Sequence, residues 1–218
     1  MAKIITLSQL QSALDKDFAW RIMEISHLKR AIPPSEGSRQ TAMLRANLAL
    51  IYAHWEGFVK TSATHYLEYV RNKKLRGRDL KNCFVYLGMK RTINDLNQVK
   101  RANVGVDLLN TVLGKIDDEA DFSHVGAINT ESNLKSDVLE GILATIGLDS
   151  TAYRPYYNLI DESLLAKRNK IAHGEYIDLD VVGFEETSEK ILMLMRWFKT
   201  GIENSASTES YRTPIIVG

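Results

Sequence analysis

A single cysteine, Cys83, stands in 218 residues, which excludes an internal disulfide and any zinc site built on cysteine pairs. Prolines number four, two of them adjacent at Pro33-Pro34, so little in the chain interrupts long helices. No apolar run approaches the ~18 residues of a membrane span, and residues 1–7 are too short an apolar stretch for a secretion signal. Neither sign of charge dominates: 28 basic residues face 27 acidic ones, which removes any global basic signature of nucleic-acid binding. A Gly-rich phosphate loop, a His-Glu-x-x-His pair and an internal repeat are all missing. The expectation is a soluble cytoplasmic chain, off the membrane, that needs no metal and no cofactor.

What the chain does have is helical periodicity. At 44% hydrophobic residues it can bury a full core as one domain. A first helix is expected to open at Ser8, with Gln11 completing a capping box. Leu10, Leu14, Phe18, Ile22, Ile25 and Leu28 follow at helical spacing until Pro33-Pro34 stops it. A second, over about 39–74, carries the stripe Leu44, Leu48, Ile51, Trp55, Phe58, Ser62, Tyr66 and Tyr69, and a helix of that length needs partners throughout. A third runs from the cap residue Asn133 to Gly147. A fourth is capped by Asp149 or Ser150, with the stripe Tyr153, Tyr157, Ile160, Leu164 and Ile171. The last covers roughly 184–202. Shorter helices fit 80–96 and 106–116. The reading is an all-α bundle: one domain over 1–204 with a helical insertion at about 77–130, then a flexible tail over 205–218.

One position on the fourth helix breaks its pattern. On a regular helix Arg168 lies about 40° from Leu164 and about 60° from Ile171, where an apolar side chain is expected. A charge there is costly unless it is paired or lines a cleft, and Asp161, two turns earlier, is the nearest candidate partner. Five residues on, His173 supplies an imidazole that can move a proton near neutrality, whereas a guanidinium grips phosphate by a planar fork. Those are the groups that metal-free RNA cleavage needs. His173 projects well round the helix from Arg168, although Asn169 and His173 are neighbours at i, i+4. Either the last turn loosens at Gly174 or a second subunit completes the cleft. His54 and His65 lie about 16 Å apart along the second helix, too far for one metal, and read as core-edge residues.

Arg168-Asn169-x-x-x-His173 resembles the Arg-x(4–6)-His motif of the HEPN superfamily (higher eukaryotes and prokaryotes nucleotide-binding). Its wording is similar to a stand-alone bacterial branch in Ala53-His54-Trp55-Glu56-Gly57-Phe58, in Ser132-Asn133-Leu134-Lys135-Ser136, and in Ile171-Ala172-His173-Gly174-Glu175. The resemblance covers roughly 44–204. It implies an up-and-down helical bundle that forms a homodimer in which two motifs meet in one cleft. It also implies a metal-independent endoribonuclease, a toxin or phage-defence effector, with an inhibitor or sensor protein encoded nearby. Arg168 and His173 then take catalytic roles and Asn169 a supporting one. Some relatives carry a modifiable Tyr two positions after the His; here that position is Glu175, with Tyr176 one further on.

A local charge count adds to this. Between Lys60 and Arg101 eleven basic residues face three acidic ones, and Lys73, Lys74, Arg76 and Arg78 are its densest part and the candidate RNA contacts. The alternative function is a non-catalytic dimeric adaptor, or a nucleotide- or RNA-binding module that keeps the motif for contacts.

Overall fold

The computed structural model describes residues 3–214. Among these there are seven α-helices and no strand, only two isolated bridges. They are α1 (Leu7–Arg30), α2 (Ser38–Arg71), α3 (Asn82–Gln98), α4 (Ala102–Lys115), α5 (Ser136–Thr145), α6 (Lys167–Ala172) and α7 (Val181–Ser207). The fold is all-α, as the periodicity predicts.

The axis of the bundle is α2. Every residue of its expected stripe is buried, from Leu44 to Tyr69, and α1, α6 and α7 all pack on it. Apolar side chains fully buried in this way stabilise by about 1.5–3 kcal/mol each, which is why a 34-residue helix persists without aid from its ends.

The first helix starts earlier than its sequence cap suggests. Thr6 Oγ1 accepts from the Gln9 N–H at 3.2 Å, and Gln9 Oε1 accepts from the Thr6 N–H at 3.0 Å. The box is therefore Thr6–Gln9, not Ser8–Gln11. Both pairs fit the pattern; the earlier one wins because Ile4 is buried and donates its N–H to Glu68 Oε1 on α2, fixing the entry of the chain.

The third helix is shorter than expected because residues 130–133 form a tight turn. Glu131 and Ser132 both sit in the left-handed region, at φ 55° and 56°, and the Asn133 N–H donates to the Thr130 carbonyl. At its other end Gly147 (φ 70°) closes the helix, with the Leu148 N–H donating to Leu143 O and the Gly147 N–H to Ala144 O.

The fourth helix is not one regular α-helix. A 3₁₀ turn at Arg154–Tyr156 leads into a π-helical segment, Leu159–Ala166, which continues without a break into α6. Gly174 (φ 77°) then ends α6, the Glu175 N–H donating to Lys170 O and the Gly174 N–H to Ile171 O.

The expected tail is overturned for its described part. α7 continues through Ser207, Ser205 shares a 2.7 Å hydrogen bond with the Tyr66 hydroxyl, and Tyr211 is buried against Tyr69. The Lys81 N–H donates to Tyr211 O and the Thr213 N–H to Asp79 O. One large aromatic side chain, late in a polar stretch, holds this segment down. Residues 215–218 lie outside the described residues.

Candidate functional site

The site assembles where α2, the loop before α5, and α6 meet. Tyr52 of α2 is fully buried, and its hydroxyl accepts from the Leu134 N–H at 2.6 Å. Burial pushes the phenol up to about 12, the Leu134 donor and the Arg168 charge opposing, so it stays neutral; the Glu56 carboxylate beside it acts in the same sense as burial. The Arg168 guanidinium lies over the Tyr52 ring at 4.3 Å. Its Nη1 donates to Asn169 Oδ1 at 2.8 Å, and Asn169 Nδ2 donates in turn to Asn133 Oδ1 at 3.2 Å. The left-handed turn at Glu131-Ser132 is what presents Asn133 to Asn169. Non-glycine residues held there cost of order 1–3 kcal/mol each, a strain found where surrounding structure demands a particular placement.

Arg168 is half-buried and forms no ion pair among the described residues. The expected partner, Asp161, is engaged elsewhere. It accepts from the Ser136 backbone N–H at 2.7 Å and from the Ser136 hydroxyl at 2.5 Å, capping α5 from outside. The π-helical winding explains the correction. At roughly 80° per residue instead of 100°, five steps turn Asp161 about a third of a turn away from the face that Arg168 occupies. A same-side projection holds only on an uninterrupted α-helix.

His173 caps the C-terminus of α6 and is exposed. The last turn does not loosen: the His173 N–H still donates to Asn169 O at 3.0 Å. Five regular residues therefore separate it from Arg168 by about 140° around the axis. The structure brings Arg168 and Asn169 together and leaves His173 on another face. The loop that follows is tied to α2 by Arg45, whose Nη2 donates to the Glu175 carbonyl at 2.8 Å. Tyr176 is exposed.

The four candidate RNA contacts are not at this place. Lys73 lies about 30 Å along α2 from Tyr52. Its ammonium sits over the Tyr69 ring at 4.1 Å and donates to the Ile5 carbonyl; Arg78 pairs with Asp117; Lys74 and Arg76 are exposed. The cations near the motif are instead Lys167, Arg168 and Lys170 of α6, which carries no carboxylate, together with Arg45. Reasoning from the sequence missed Arg45, Tyr52 and the tether through Asn133. Tyr52 was legible as the residue one turn before Glu56; Arg45 carried no signal.

Other motif residues prove structural. His54 is buried, its Nε2 2.9 Å from Glu24 and its ring against Trp20, and burial draws its pKa below the usual histidine value despite that carboxylate. A Cβ at position 57 would stand 2.9 Å from Arg21 Nη1, so Gly57 is the clearance that lets the Arg21 guanidinium reach the His54 carbonyl. No group of three or more His, Cys, Asp or Glu side chains fit to hold a metal occurs among the described residues. A cavity of about 780 Å³ lies away from the motif, between α1 and α2 beside Trp20 and His65.

The structure thus presents an all-α bundle with an Arg-Asn pair fastened to its central helix and a histidine at the following helix end. The comparison with family models is direct: the RiboL-PSP-HEPN model matches residues 16–204, and the chain belongs to that HEPN family. No curated protein and no solved structure matches it.

Proposed function

We propose that the protein is a metal-independent endoribonuclease whose reaction centre is completed across a dimer. The observation that carries this reading is the state of Arg168: a half-buried cation with no carboxylate partner among the described residues, aimed by the Tyr52 ring and by Asn169. A guanidinium so held is ready for an external anion and pays no pair-breaking cost when one arrives.

RNA supplies its own nucleophile. The 2′-hydroxyl attacks the adjacent phosphorus, the bond to the 5′-oxygen breaks, and a 2′,3′-cyclic phosphate forms. The protein must take the 2′ proton, stabilise the added negative charge and return a proton to the leaving oxygen. His173 is the proton carrier, Arg168 the clamp on the phosphorane oxygens, and Asn169 the residue that holds the clamp. Because Arg168 and His173 of one chain face different ways, the working pair comes from two chains around a two-fold axis, Arg168 of one and His173 of the other, the imidazole taking the 2′ proton and then giving it to the leaving 5′-oxygen. Family membership supports an effector of the toxin or phage-defence kind, kept in check by an inhibitor or sensor protein. The separation of Arg168 from His173 within one chain also favours a second reading, a dimeric binding module without catalysis.

The test is purified protein with RNA in EDTA. Cleavage is expected to persist, to leave cyclic phosphate ends and to spare a 2′-deoxy substrate; a strict divalent-ion requirement overturns the mechanism. Arg168→Ala and His173→Ala are each expected to be inactive. Mixed after subunit exchange, they should recover up to about a quarter of wild-type activity, because half of the dimers then hold one intact site. No recovery in exchanged dimers rules out the shared site, and full activity of folded His173→Ala hands the case to the binding module.

A further inference from the structure

The helix α4 stands off the bundle. None of its residues is buried, and its lateral packing is on α3. Its C-terminal end is pinned to the body: the Arg78 N–H donates to Ile116 O and the Gly77 N–H to Asp118 O. On the side left open, Val106, Leu109 and Leu113 are 55%, 49% and 56% exposed, at spacings of three and four that put them on one stripe. Three large aliphatic side chains in a row, open to water, mark a contact surface. Lys115 lies on the opposite side of the helix and does not interrupt it.

Charge distribution says what covers this stripe. Lys100 and Arg101 stand at its start, Asp118 and Glu119 at its end, and none of the four is in an ion pair among the described residues. Counted outward from the bond between Leu109 and Asn110, Val106 and Leu113 stand at equal distances, and so do the oppositely charged pairs Arg101 and Asp118, and Lys100 and Glu119. We propose that α4 pairs antiparallel with α4 of a second copy, about a two-fold axis through that midpoint. Val106 then packs on Leu113 of the second copy, and the basic end of each helix meets the acidic end of the other. Asn110, on the flank of the stripe next to the axis, meets its own mate, where an amide pair fixes register as a buried polar residue does in a coiled coil. A parallel arrangement sets like charges together at both ends and leaves Asn110 unmatched. The apolar stripe supplies affinity and the charges choose direction. This interface is independent of the motif and of any ribonuclease reading.

Sedimentation equilibrium at micromolar concentration tests it. Leu109→Glu, at an exposed site whose folding is checked by circular dichroism, is expected to halve the assembly mass. Lys100→Glu with Arg101→Glu is expected to do the same, and adding Asp118→Lys with Glu119→Lys to that pair is expected to restore the wild-type mass. A mass unchanged by Leu109→Glu overturns the proposal. So does a fourfold reversal that stays at half mass, since charge exchange at both ends rescues only a helix paired with itself.

Discussion

The guanidinium of Arg168 is held by an aromatic face and an amide oxygen, and that sets what its removal costs. A cation–π contact contributes about 0.5–2 kcal/mol and one hydrogen bond about 1 kcal/mol. Arg168→Ala is therefore expected to lose no more than about 3 kcal/mol in urea denaturation while cleavage disappears. Arg168→Lys keeps the charge but loses the fork, and should remain folded with activity strongly reduced. Asp161 bears the larger structural duty. Its two hydrogen bonds to Ser136 close the N-terminus of α5, and Asp161→Ala is expected to cost about 2–4 kcal/mol, bonds to a charged acceptor being the stronger kind. If Arg168→Ala proves the more destabilising of the two in matched denaturation curves, the assignment of partners is wrong.

At the scale of elements, what the sequence discloses depends on whether the backbone stays regular. The stripe of α2 was readable residue by residue because 34 residues of uninterrupted α-helix preserve the 100° step. The glycine ends of α5 and α6 were readable too, since Gly147 and Gly174 supply the left-handed residue each closure needs. The partner of Arg168 was not, because the projection crosses Leu159–Ala166, and no residue type announces π-helical winding. Nor did the pattern separate Thr6–Gln9 from Ser8–Gln11; burial of Ile4 decides that. The turn before α5 offers a direct check. Ser132 holds φ 56° without being glycine, so Ser132→Gly is expected to stabilise the protein by about 1 kcal/mol, read as a rise in the urea midpoint. A fall in the midpoint means that the Ser132 side chain contributes more than its backbone strain costs.

For the whole molecule, acid stability follows from two histidines. Burial lowers the pKa of His54 and of His65 below the ordinary value, outweighing the carboxylates near each. A histidine depressed in the folded state takes its proton first in the unfolded chain. The stability it protects is complete above the unfolded value near 6.5 and is lost as pH falls below it. The urea midpoint is expected to drop between about pH 7.5 and about pH 5.5, before the carboxylates begin to titrate below about 4, and His65→Gln should flatten part of that slope. A midpoint that rises on acidification over this range contradicts the sign. The same scale tests the basic cluster: as Lys73, Lys74, Arg76 and Arg78 lie far from the motif in one chain, their joint replacement by Ser is expected to weaken RNA binding without changing the single-turnover rate at saturating RNA.

The π-helical segment has a further consequence, for how this chain can change by descent. A helix takes up that wider winding when it accommodates one residue more than its α-helical length holds, both ends staying in place. Removing a single residue of Leu159–Ala166, such as the half-buried Ser163, therefore lets the segment relax to α-winding with α6 still in phase. A change that winds the segment as α-helix with its full complement of residues instead swings everything beyond it about the helix axis by roughly 100°, and Arg168 leaves Tyr52 while every residue of the motif is still present. Relatives that keep the Arg-Asn-x-x-x-His letters and the same upstream length but wind that segment as a regular α-helix have the spelling without the geometry, and alignments scored on the letters alone count them as alike.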